Sequence, residues 1–286
     1  MLFLVGALVV VGSVFGGYMA NGGHLDVLWQ PFEIVIIVGA AIGAFVISNP
    51  ASVLKGTLKG FGKLLKGSAY KKAAYLELLS LMYQVFKLAK TKGMLALETH
   101  VEKPDESTLF AQFPNFAKDH HALEFLCDYL RLMTLGTENP YEVEALMDAE
   151  IDTHHHEQEQ ISGAVQGIAD ALPALGIVAA VLGVIHTMGS ITEPPAVLGH
   201  LIGGALVGTF MGIFIAYGFV APMSTSLKNT FEADGKYLQC IKAGLLAHLQ
   251  GYAPAVAVEF ARKALLSDVR PDFYEVEKAT SELQPV

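Results

Sequence analysis

The sequence predicts an all-α membrane protein: four transmembrane helices, a large helical cytoplasmic domain between spans 2 and 3, and a helical cytoplasmic C-terminal tail. Three observations lead there. Hydrophobic residues make up 52% of the chain and charged residues 16%, with a mean hydropathy of +0.44, a balance that suits lipid as the solvent. Four stretches, about 1–20, 31–50, 171–191 and 200–222, contain no Lys or Arg and have roughly the 20 apolar residues needed to cross a bilayer. No run reads convincingly as a strand, whereas helical periodicity recurs between the spans.

The first span lacks a basic segment ahead of it, and "YMANGG" is a poor small-x-small cleavage site, so it reads as retained rather than as a signal peptide. Charge orients the chain. Of the 19 Lys and Arg, 12 lie between Lys55 and Arg131 and seven between Lys228 and Lys278, while the connections "NGGHLDVLWQ" and "ITEPPAVLG" carry acids and no Lys or Arg. Basic segments stay inside, which places both termini in the cytoplasm. The expected segments are 1–50 (spans 1 and 2 with a short periplasmic loop), 51–170 (cytoplasmic helical domain), 171–222 (spans 3 and 4) and 223–286 (cytoplasmic helices and tail).

Within the cytoplasmic domain, Tyr75, Leu78, Leu79, Met82, Val85, Phe86 and Ala89 recur at i, i+3, i+4 spacing, with Gly93 as a stop. Leu123, Leu126, Leu130 and Met133 repeat the pattern. A third helix is expected from Pro140, with Asn139 as its N-cap, and the last span is expected to run past Pro222 toward Gly251. Cys127 and Cys240 fall on the cytoplasmic side and read as free thiols.

Small residues recur four apart in every span: Gly12 and Gly16, Gly39 and Gly43, Ala179 and Gly183, and Gly204, Gly208 and Gly212. Helices approach closely along such faces, which serves packing within the chain and against other subunits. No Asp, Glu, Lys or Arg stands at mid-depth, where an ion pathway normally shows itself. Glu33 and His186, near the outer ends of spans 2 and 3, read as interfacial or satisfied polar groups, and Thr209 is the mid-depth hydroxyl. An ionisable carrier would then come from a partner. Pro173 reads as the start of span 3 and Pro222 as the end of span 4, both at the cytoplasmic face, where they could convert ionisation between the spans into movement.

Several classes are excluded. The net charge of −9 and the lack of a GxxxxGK[ST] loop or GxGxxG turn give no support for nucleic acid or nucleotide. No HExxH, GxSxG or paired membrane aspartates suggest an intramembrane enzyme. In "THHHEQEQ", His154 and Glu157 share a helix face, but two ligands do not make a structural metal site; His154, His155 and His156 read as a solvated polar helix.

The stretches "GSVFGGYMANGG", "QPFEIVIIVGAAIGAF", "DALPALGIVAAVLGVIHTMGS", "GALVGTFMGIFIAYGFVAP" and "LQGYAPAVAVEFARKAL" resemble, over almost the whole chain, the MotA/PomA branch of the MotA/TolQ/ExbB proton channel family, the stator subunits of the flagellar motor. The resemblance implies no cofactor and no catalysis, a transported proton, and a pentamer around a dimer of MotB, whose single span supplies the ion-binding aspartate. It further implies that Thr209 and Ala180 line the ion path, that Pro173 and Pro222 couple ion passage to conformation, and that Lys90, Glu98 and Glu150 face the rotor protein FliG. Lys90 stands where relatives commonly carry Arg, keeping charge but losing the bidentate fork. By residue type alone, Lys90 and Glu98 are ordinary solvated charges.

Sodium-driven relatives tend to carry threonine at the position of Ala180. A dehydrated sodium ion needs several oxygens, and "GIVAAVLGV" has none in its side chains, so proton coupling is expected. The alternatives are a sodium-driven PomA-like stator and an ExbB/TolQ-like energiser, whose relatives have three spans and lack the N-terminal pair.

Overall fold

The computed structural model describes residues 2–137 and 139–284. The described residues are almost wholly helical, and the chain forms two compact units, Met1–Gly67 with His156–Thr230 and Ser68–His155 with Phe231–Val286. The units draw on the chain differently from the four sequence segments, because two long helices contribute to both.

The first unit holds α1 (Leu2–Ala20), a short turn of helix α2 (Leu25–Leu28), α3 (Pro31–Ser48) and α4 (Ala51–Lys66). Pro31 at the first position of α3 loses nothing, since that N–H has no partner in a helix anyway. The second unit begins with α5 (Lys72–Lys92), followed by α6 (Leu95–Glu102), a single turn α7 (Pro114–Ala117) and α8 (His120–Thr134). All seven apolar positions expected on the inner face of α5 are buried, and the helix ends where Gly93 adopts φ 85°, a conformation that costs glycine no steric clash. The four expected positions of α8 are buried too, and Asp119 caps it by accepting from the Ala122 amide.

Helix α9 runs from Pro140 to Met188, 49 residues. Its start matches expectation, with Asn139 Oδ1 accepting from the Tyr141 amide at 3.1 Å. Its course differs: Pro173 does not open a new helix but lies inside this one. Proline removes one intrahelical hydrogen bond, that of the Ala169 carbonyl four residues back, and the rest of the helix carries through. Helix α10 (Pro195–Ile215) passes through a π-helical turn, Ala216–Val220, into α11 (Ala221–Leu249). Pro222 therefore does not stop the helix. The Ala221 amide donates to the Ala216 carbonyl, five residues back, and this wider turn just before the proline accommodates a residue with no N–H to give. The continuation toward Gly251 matches expectation.

Among the described residues, four helices are long and apolar enough to cross a membrane: Leu2–Ala20, Leu25–Ser48 (α2 and α3 taken together), Pro140–Met188 and Pro195–Leu249. The first unit has a small internal core of Ile37, Ala41, Leu172, Ala179 and Ala216. No residue of α1 is buried, and Leu8, Phe32, Ile47 and Ile185 are among the exposed apolar side chains. A face this apolar suits lipid or neighbouring helices rather than water.

The second unit has a large core centred on α5, which packs against α6, α7, α12 (Pro254–Lys263) and α13 (Phe273–Ser281). Asp272 and Glu275 form a reciprocal capping box on α13. Tyr70 and Tyr237 stack at 3.8 Å, while Asp234 accepts from Ser68 Oγ at 2.7 Å. Cys127 and Cys240 are free and buried, and burial pushes the Cys127 thiol up to about 12.

Candidate functional site

The glycines of α10 bring helices α9 and α10 to backbone contact. A Cβ on Gly212 would lie 2.6 Å from the Leu172 carbonyl oxygen and 2.9 Å from the Gly176 Cα; one on Gly176 would lie 2.8 Å from the Gly208 carbonyl oxygen. Farther along α9, a Cβ on Gly183 would meet that of Ala205 at 2.7 Å. The small-residue faces of spans 3 and 4 are thus consumed within the chain. Those of α1 and α3 are not: a Cβ on Gly12, Gly16, Gly39 or Gly43 would meet nothing within 4 Å. Gly176, which the four-residue spacing did not single out, sits at the tightest part of the crossing.

Ala180 and Thr209 flank this crossing. The Ala180 amide nitrogen would lie 3.2 Å from a Cβ on Gly208, the residue before Thr209, and both residues are half-buried. The Thr209 hydroxyl makes no hydrogen bond among the described residues, whereas Thr187 on α9 donates to the Gly183 carbonyl at 2.8 Å. Pro173 is half-buried and Pro222 exposed, on the two helices that form the crossing.

Glu33 departs from expectation. It stands in the first turn of α3, but its carboxylate reaches inward between α9 and α10: Oε1 would be 3.4 Å from a Cβ on Gly183, and Oε2 would be 3.1 Å from one on Gly208. Oε2 is buried and has no hydrogen-bond partner among the described residues, so Glu33 is not a satisfied interfacial group. Its backbone lies in the first turn of α3, yet its acid comes to the level of Gly208. Gln30 fills the neighbouring space against Gly204, its Nε2 donating to the Val27 carbonyl at 3.2 Å. Position along a helix signalled the backbone depth of Glu33, but not where a long side chain on that helix would end.

The three acidic and basic positions assigned to the rotor all lie in the second unit. Lys90 at the end of α5 and Glu98 on α6 are exposed, and neither makes an ion pair among the described residues. Glu150 on α9 is also exposed but accepts from Tyr129 Oη at 2.8 Å. Near Lys90, His248 stacks on Phe86 at 4.6 Å with its Nδ1 buried and without a hydrogen-bond partner among the described residues; burial, then the Lys90 charge, lower its pKa. His154 lies against the His121 ring at 4.3 Å, and His156 against Gln160 at 3.1 Å.

Two family models match the chain: Motility protein A N-terminal over residues 4–93, and the MotA/TolQ/ExbB proton channel family over residues 117–239. The chain is 49% identical over 278 residues to "Motility protein A" of Salmonella typhimurium, covering 97% of this chain and 94% of that protein. The flagellar MotAB stator complex from Bacillus subtilis superposes with a TM-score of 0.71 at 26% identity, over 90% of this chain and 92% of that one. The fold of C. jejuni MotAB matches with a TM-score of 0.76 at 21% identity, over 93% and 96% of the two chains.

Proposed function

The chain belongs to the MotA/TolQ/ExbB proton channel family, and from that premise we propose that it is a stator subunit of the bacterial flagellar motor, working with MotB in the inner membrane as a proton channel that turns the rotor. The near full-length identity to a motility protein A carries this reading. The Motility protein A N-terminal match over spans 1 and 2 favours it over an ExbB/TolQ-like energiser.

In this reading an acid on the partner's single span meets the face made by Ala180 and Thr209. The chain supplies a close-packed wall and one free hydroxyl there; the partner supplies the ion carrier. Neutralising that carrier removes a buried charge from between helices, and the regularity lost at Pro173 and at the π turn before Pro222 gives α9 and α10 two nearby points at which to bend. The open glycine faces of α1 and α3 are suited to neighbouring copies in a pentamer around a MotB dimer. Lys90, Glu98 and Glu150 are the surface charges through which motion would reach FliG. Both termini are cytoplasmic, as the distribution of Lys and Arg directs.

The coupling ion is the proton. One hydroxyl from each subunit at Thr209 is too little to replace the hydration shell of sodium, and Ala179 and Ala180 add no side-chain oxygen. The test is swimming of cells that carry this chain and a MotB-type partner as their only stator. Speed should hold when sodium is removed at constant pH and collapse with a protonophore. Speed that follows sodium and survives the protonophore overturns the ion assignment; complete failure to swim with a co-purifying partner overturns the stator reading.

A further inference from the structure

Among the described residues, Glu33 Oε2 is the only carboxylate oxygen that is buried without a hydrogen-bond partner. Such a group calls for an explanation, because a buried acid is costly unless paired or hydrogen-bonded. Packing does not supply one. The atoms around the carboxylate are backbone and small side chains: Gly183 opposite Ala205 on one side, and Gly208 opposite Ala179 and Ala180 on the other. Both recesses exist because glycine stands there, and a methyl group at Gly208 would press on Oε2 at 3.1 Å. Among the described residues, no charged side chain pairs with Glu33 from any of the four elements about it. Asp26 on α2, His186 on α9 and His200 on α10 are exposed at the outer ends of those helices, and α3 carries no other ionisable side chain.

The position matters as much as the missing partner. The same point beside Gly208 that lies 3.1 Å from Oε2 lies 3.2 Å from the Ala180 amide, so Glu33 borders the face assigned to the partner's acid. It does so from the outer side, on the helix whose first turn stands nearest the periplasmic loop.

We propose that Glu33 is a proton-carrying residue of the outer half of the ion path. Its carboxylate takes a proton from water at the outer face, becoming a neutral carboxyl. It then gives that proton, through water, to the partner's carboxylate facing Ala180 and Thr209, and returns to the anion. One proton enters and one leaves, with no other reactant. An intramembrane acid in this setting is the group expected of a proton relay, and the unpartnered oxygen is the free site at which a water binds. The proposal rests on the proton-channel reading above.

The test is proton uptake into proteoliposomes holding the full chain with its MotB-type partner, driven by a potassium diffusion potential and read with an internal pH dye. Glu33→Gln preserves size and polarity but cannot carry a proton. It should lower the flux severalfold while co-purification with the partner and thermal stability stay at wild-type levels. Glu33→Asp keeps the acid but shortens its reach, and should fall between the two. Wild-type flux in Glu33→Gln overturns the proposal and leaves the channel reading standing. A wild-type complex that passes no protons overturns both. If Glu33→Gln fails to assemble, the Asp variant decides: lowered flux in an assembled complex supports the relay, and undiminished flux overturns it.

Discussion

Gly212 and Gly176 face each other so closely that a single methyl on Gly212 would stand 2.9 Å from the Gly176 Cα. The obstacle is backbone, not the end of a flexible side chain, so the helices must separate to admit it. Gly212→Ala should cost ~1–3 kcal/mol, as overpacking does, seen as a lower melting temperature of the detergent-solubilised chain. Gly39→Ala, whose Cβ meets nothing, should leave that temperature unchanged and act only on assembly. Equal melting temperatures for the two variants would show that the crossing is looser than described.

Pro173→Ala and Pro222→Ala should leave assembly with the partner largely intact and strongly slow or abolish swimming. Each restores an intrahelical hydrogen bond, so no stability penalty is expected. Pro222→Ala should also remove the reason for the π turn at Ala216–Val220. Normal swimming with normal ion flux in both variants would dismiss the prolines as coupling points.

Neutralising Lys90 or Glu98 singly should impair motility only mildly, because exposed charges contribute little one at a time. Reversing both should do more, and compensating reversals in FliG should restore part of the loss. Glu150 differs, since it holds Tyr129, and Glu150→Gln should be milder than Glu150→Ala. Motility assays with stator assembly confirmed decide this. No recovery with any FliG reversal would move the contact elsewhere.

His248 predicts a pH dependence. Burial, then the charge of Lys90, hold its pKa below the ordinary 6.5, so the folded chain binds fewer protons than the unfolded one between the two values. Stability contributed by the neutral ring is complete above 6.5 and is lost as pH falls through that value toward the folded pKa. His248→Leu should flatten the decline in melting temperature over that window. A smaller slope should persist from His100, lowered by burial and then Lys92. A decline identical to wild type would exclude His248 as its source.

What was legible in the sequence follows from how far each signal reaches. The stripe from Tyr75 to Ala89 and the Asn139–Pro140 start are local patterns, and local physics settles them. The four spans were legible because length and apolarity alone decide whether a segment suits a bilayer. The unity of α9 was not, since a proline reads equally as a helix start or as a tolerated interior residue, and the packing of Leu172 and Ala179 carries the helix through. Nor was the recess around Glu33, which is assembled from Gly183, Ala205 and Gly208 on helices about 150 or more residues away. Gly176 escaped notice because its partner, Gly212, belongs to another helix.

The π turn at Ala216–Val220 holds one residue more than an α-helical turn would. Each residue turns an α-helix by about 100°, so the side chains after the turn are set back by roughly that angle from where an unbroken α-helix would carry them. Gly212 and Ser224 would stand about 120° apart in an unbroken α-helix; the extra residue brings them to within about 20° of one another, so the face of α10 that meets Gly176 through Gly208 and Gly212 continues as the face of α11 on which Ser224 and Leu227 are buried. Moving the extra residue by one position along the chain would turn only the side chain it passes, by about 100°, and would leave the two ends of the rod in the same phase.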